Sequence, residues 1–176
     1  MTSYQTLRLM SKSAANLRGN LINQTAFIEK VMDFQIAGYF CNNDRSRDEM
    51  VDLMLGDRFI SFESKRTVFE ILVKRHSKNF YAKIGKEFFA NMTTIQTHRN
   101  KLAHLMQDTT EEAHKEFKEK KRIGFIKFKE KTETIWYSDT DISDLDARLK
   151  MVYFTIPKII LSRPPSSPDV VDYPEK

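Results

Sequence analysis

Cys41 is the only cysteine in 176 residues, which excludes an internal disulfide and the thiol-rich zinc patterns and agrees with a reducing compartment. Most lone cysteines are simply small buried apolar residues. Glycine and proline are equally scarce, five of each, and four of the prolines lie beyond residue 163. The segment SRPPSSPDVVDYPEK, residues 162–176, cannot continue a helix through its prolines and has little to bury, so it reads as a disordered tail. No window approaches the ~18 apolar residues of a membrane-spanning helix, and MTSYQTLRLMSKSAANLRGN at the start lacks the apolar run of a signal peptide. No membrane partner and a cytoplasmic location are therefore expected. There is no internal repeat. The sequence also has no GxxxxGK loop, GxSxG elbow or HExxH pair, which leaves phosphate-loop NTPase, serine hydrolase and common zinc protease chemistry without support.

What is present suffices for one domain. A hydrophobic fraction of 40%, an aromatic fraction of 11% and thirteen phenylalanines can fill a core, with the domain spanning 1–161. The net charge of +5 and a pI near 9.2 are compatible with a phosphate-bearing partner.

Hydrophobic spacing predicts a mainly α chain. Leu17, Leu21, Ile28, Val31, Met32 and Ile36 recur at three-and-four steps and predict a long helix over 14–40. Asn42, Asn43 and Asp44 break it, and a short helical segment over 49–55 stops at Gly56. Ser61 reads as the N-cap of a core helix, with Glu63 in its first turn and Phe62, Val68, Phe69 and Leu72 as its inner stripe. A further helix over 79–106 has Phe88, Met92, Ile95, Leu102 and Met106 on one seam. After the charged run EEAHKEFKEKKR, the segments IGFIKFK and ETIWYS predict a hairpin. Ser143 is expected to cap a last helix carrying Leu145, Leu149, Val152 and Ile156, bent at Pro157. The predicted architecture is a helical bundle with a small β-hairpin inserted before its last helix.

Arg99 interrupts the apolar seam of the fourth helix, and a guanidinium there must be paired or wetted. His104 follows about 140° round and about 7.5 Å along a helix axis, while Asn100 shares a face with His104 and can fix its tautomer. These types suit transfer at a phosphodiester. Imidazole exchanges protons near neutrality, and arginine holds a phosphoryl group through two parallel hydrogen bonds. On RNA the nucleophile would be the ribose 2'-hydroxyl, so the reaction calls for neither cofactor nor metal.

The segment RNKLAH resembles the signature of the HEPN domains (higher eukaryotes and prokaryotes nucleotide-binding): an arginine, often followed by a polar residue, then a histidine after four to six intervening positions. The resemblance extends over most of 14–161 in its order of elements. It implies a metal-independent endoribonuclease, commonly a toxin or antiphage effector, in which two protomers bring their arginine and histidine together across a homodimer interface. Arg99 and His104 inherit the catalytic roles, and Asn100 that of the polar neighbour. An antitoxin or other regulatory protein is the partner so implied, beside RNA itself. One branch has a tyrosine two places after the histidine that a nucleotidyltransferase modifies, whereas this chain has Met106. Other members are inactive dimerisation or ligand-binding modules, which gives the alternative reading.

Supporting candidates are Glu29, placed to orient Arg99 from the first helix, and His98, beside the cluster. His76 and His114 lie in charged stretches and read as solvated. In KEKKRIGFIKFKEK, Lys121, Arg122, Lys127 and Lys129 alternate with Phe125 and Phe128, a pattern able to track a backbone and stack bases, or simply to form the charged outer face of a hairpin.

Overall fold

A computed structural model describes residues 3–56, 60–127 and 132–161. The predicted tail and the hairpin tip with Phe128 and Lys129 lie outside the described residues. The fold class is the predicted one, mainly α with a small antiparallel sheet.

The first helix, α1, spans Ser3–Phe40, about 57 Å of helix. Its core stripe of Leu21, Ile28, Met32 and Ile36 is fully buried, each side chain worth roughly 1.5–3 kcal/mol when removed from water. The stripe extends upstream of the predicted start through Thr6, Met10 and Ala14, all buried, and a further helix packs on α1. That helix, α6 (Glu111–Lys120), is the charged run. Thr110 Oγ1 caps it by accepting from Ala113 N at 3.3 Å. Glu111 and Glu112 sit in its first turn and Lys118 and Lys120 in its last, matching the helix dipole.

Asn43 does not merely interrupt α1; its side chain caps α2 (Asp44–Leu53), which starts five residues earlier than expected. Helix α3 (Phe62–His76) begins at Ser61 as predicted. Its inner stripe differs: Phe69, Leu72 and Val73 are buried together with Lys65, while Val68 is exposed. The next helix is reached through a three-residue turn, α4 (Lys78–Phe80), and a π-helical turn (Tyr81–Gly85), so that α5 runs over Lys86–His104. Met106 is therefore not on the helical seam. It is 59% exposed and belongs to β1 (Met106–Gln107), a strand the periodicity did not reveal.

The predicted hairpin is β2 (Ile123–Lys127) paired antiparallel with β3 (Glu133–Tyr137), Phe125 opposite Ile135, and β1 lies on the other edge of β2. Helix α7 (Asp139–Thr155) is capped by Ser138 rather than Ser143. Ser138 Oγ accepts from Asp141 N at 3.2 Å while Asp141 accepts from Ser138 N at 2.8 Å, a capping box. Pro157 lies in a 3₁₀ turn (Ile156–Lys158) after α7 has ended, so it terminates the helix instead of bending it.

Six side-chain contacts orient the helices of the bundle. Lys65 meets Glu29 and His76 meets Tyr39, so α1 and α3 run parallel. Phe27 stacks on Tyr153 and Gln35 donates to Ile159 O, so α7 also runs with α1. Arg18 reaches Leu105, and Asn91 meets Arg148, so α5 runs against both. The sheet and α6 close the end of the bundle at which α5 terminates, where Phe125 and Tyr137 join the core.

Candidate functional site

Arg99 and His104 occupy the last two turns of α5. Arg99 is half-buried, and its Nη1 donates to Asn100 Oδ1 at 3.1 Å. Asn100 thus holds the guanidinium rather than the imidazole, contrary to the expected tautomer-fixing role; a neighbouring planar donor takes its carbonyl oxygen. His104, exposed, is the final residue of α5 and makes no hydrogen bond among the described residues. Neither does any described carboxylate lie within ion-pair distance of Arg99.

A second guanidinium reaches this end of the helix. Arg18 Nη2 donates to Leu105 O at 2.7 Å, and its guanidinium sits 5.4 Å from the Phe125 ring centroid. Residues 1–28 contain no Asp or Glu, so this stretch of α1 brings Arg8, Lys12 and Arg18 without acidic neighbours in sequence. Helical geometry still separates Arg99 from His104 by about 140°, the arginine half-buried and the histidine exposed.

The supporting candidates go elsewhere. Glu29 does not orient Arg99: its Oε1 accepts from Lys65 Nζ at 2.7 Å, and Asp33 Oδ2 accepts from the same ammonium at 3.1 Å. Burial pushes Asp33 up to about 6, against the opposing pull of Lys65, while the hydrogen bonds that Lys65 donates to both carboxylates hold it above its ordinary value despite burial. A lysine on the inner stripe of α3 was the legible sign of this cluster, since a buried ammonium demands carboxylates opposite.

His98 is half-buried against the sheet, its Nδ1 3.0 Å from Tyr137 Oη. Burial holds His98 below the ordinary histidine range, helped by the positive charge of Lys101, and raises Tyr137 to about 12. The two read as a structural pair joining α5 to β3. His76 is not solvated either: its Nε2 lies 2.8 Å from Tyr39 Oη. His114 is half-buried, with a buried Nε2 lacking a described partner. Both helices turn their histidines inward despite charged sequence neighbours.

Among the basic candidates on the sheet, Arg122 Nη1 lies 3.9 Å from Glu116 and Lys127 ends β2, half-buried. Lys121 ends α6 in the left-handed conformation, φ 54°. Phe125 is wholly buried and so cannot stack a base. No described group of three His, Cys, Asp or Glu is placed to hold a metal ion, and no described helix is long and apolar enough to cross a membrane.

The fold and site define a mainly α domain that carries, at one helix end, an arginine with no carboxylate partner and an imidazole with no hydrogen bond among the described residues. No family model, curated protein or solved structure matches the chain.

Proposed function

We propose that this chain is a metal-independent endoribonuclease of the HEPN type, acting as a homodimer through Arg99 and His104. The observation that carries the reading is the end of α5, where a half-buried arginine with no described carboxylate partner shares two turns with an exposed imidazole that has no internal hydrogen bond. A half-buried guanidinium must be paired or wetted.

The ribose 2'-oxygen attacks the adjacent phosphorus, forming the 2'-O–P bond as the P–O5' bond breaks. His104 takes the 2'-hydroxyl proton or returns one to the leaving O5', and Arg99 stabilises the charge on the non-bridging oxygens. Asn100 holds the guanidinium. The products are a 2',3'-cyclic phosphate and a 5'-hydroxyl, and the substrate supplies the nucleophile. The divergence of Arg99 and His104 within one chain is why the reading requires a second protomer at the site. That divergence equally favours a second reading, a catalytically silent binding module whose α5 end holds an anion.

Incubating the purified chain and its His104→Ala variant with RNA in excess EDTA separates the two. Cleavage by the parent and none by a folded variant fits the enzyme. Binding without cleavage by either fits the module. As an effector of the toxin or antiphage kind, the enzyme would be held in check by an antitoxin or other regulatory protein.

A further inference from the structure

A cavity of about 740 Å³ opens between α1 and α7, away from Arg99 and His104. That volume is in the range of small-molecule sites, about 300–1,000 Å³. Its origin lies in two seven-residue stripes that face each other across parallel helices. On α1 the stripe is Ser13, Asn20, Phe27; on α7 it is Asp139, Asp146, Tyr153. At the third level Phe27 and Tyr153 close the groove, ring centroids 4.4 Å apart. At the first two levels short polar residues stand where the rings would be, and the groove stays open.

The floor is apolar, with Leu21, Leu145 and Leu149 buried beneath the opening and Ile123 of β2 at its end. The rim is polar and carries both signs of charge. Asp146 is already paired, its Oδ2 2.6 Å from Lys150 Nζ. Two exposed rim charges have no ionic partner among the described residues: the Asp139 carboxylate, in the first turn of α7, and the Lys121 ammonium, 5.9 Å from the Phe117 ring centroid. Lys121 is, moreover, the one non-glycine residue with positive φ among the described residues. Glycine would be cheaper at this helix end, and its replacement by lysine sets an ammonium at the mouth of the cavity.

We propose that this cavity binds a zwitterion with an apolar body, of the amino-acid or dipeptide class. Its carboxylate meets Lys121, its ammonium meets Asp139, and its side chains lie on the leucine floor. Asn16 and Ser143 on the rim supply neutral hydrogen bonds. A purely apolar ligand would engage neither rim charge, and an anion or a cation would engage only one.

The test is calorimetric titration of the full chain with the dipeptide Leu-Phe, its N-acetyl form, its C-terminal amide and the doubly blocked form. Saturable binding of the free dipeptide is expected, weakened about tenfold or more by blocking either end. Lys121→Gly, which suits the left-handed backbone and therefore folds, should bind weakly and become indifferent to amidation. Asp139→Asn should become indifferent to acetylation. No saturation by the free dipeptide up to ~10 mM, equal binding of the doubly blocked form, or undiminished sensitivity of the variants to blocking would overturn the proposal.

Discussion

At the scale of single residues, the buried ammonium of Lys65 is the largest electrostatic commitment in the core. It is 1% exposed and meets Glu29 and Asp33 on α1. Removing it by Lys65→Ala strands two carboxylates and should cost about 3–5 kcal/mol, read as a lower denaturation midpoint. Asp33 also gives the fold a pH dependence of definite sign. Its carboxyl is raised from 3.8 to about 6, so the folded state holds a proton that the unfolded state has released. The group is neutral in both states only well below its unfolded value of 3.8. Its penalty grows as pH rises from about 4 to 6 and stays constant above, on the order of 2–3 kcal/mol. The stability of Asp33→Asn relative to the parent should therefore improve across that window in urea titrations. Parallel curves for the two proteins would contradict the assignment.

At the scale of elements, most of what periodicity can carry was legible. Helix α1, the Ser61 cap, the hairpin and the core residues of α7 all follow from spacing and cap chemistry. What escaped has identifiable causes. Helix α6 buries Ala113 fully and Phe117 in part, too few apolar positions for periodicity to separate from a charged loop. Strand β1 is two residues long and exists only because β2 offers an edge. The early start of α1 is accompanied by its packing against α6, whose charged sequence carries no clear apolar stripe. The break before α5 hinges on Gly85: a Cβ there would fall 2.5 Å from Tyr81 Cδ2 and 2.7 Å from its Cγ. These atoms are near the root of the ring, so Gly85→Ala should destabilise the chain by about 1–3 kcal/mol. Tyr81→Leu in the same chain should recover part of that loss; a thermal midpoint unchanged by Gly85→Ala would show that the π turn readily rearranges.

For the candidate site, the sequence located Arg99, Asn100 and His104 on one helix but not how they are partnered. Hydrogen bonding between neighbours on a helix is decided by rotamers, and here Arg99 takes the oxygen that His104 was expected to share. Glu29 failed as a supporting residue because its partner, Lys65, lies 36 positions away on another helix. Such long-range pairing leaves only an indirect trace in sequence, a charged residue on an apolar stripe.

At the scale of the whole molecule, the account requires two copies. The chain has a mass of 20.7 kDa, and sedimentation equilibrium should give twice that value. A monomer at every concentration where RNA is cut would remove the second protomer from the mechanism. His104→Ala should retain the dimer mass and helical circular dichroism, because its exposed imidazole contributes no described internal contact. Arg99→Lys should lose most activity, since an ammonium cannot make the two-pronged phosphate contact. Whether the substrate's own 2'-hydroxyl is the nucleophile, as proposed, is decided by placing a single 2'-methoxy group at a mapped cut position and analysing the ends in EDTA. The account predicts that unmodified RNA yields cyclic phosphate and 5'-hydroxyl termini, while the methoxy RNA still binds through phosphate contacts and is not cut there. Cleavage at the methoxy position, or 5'-phosphate ends, would contradict it.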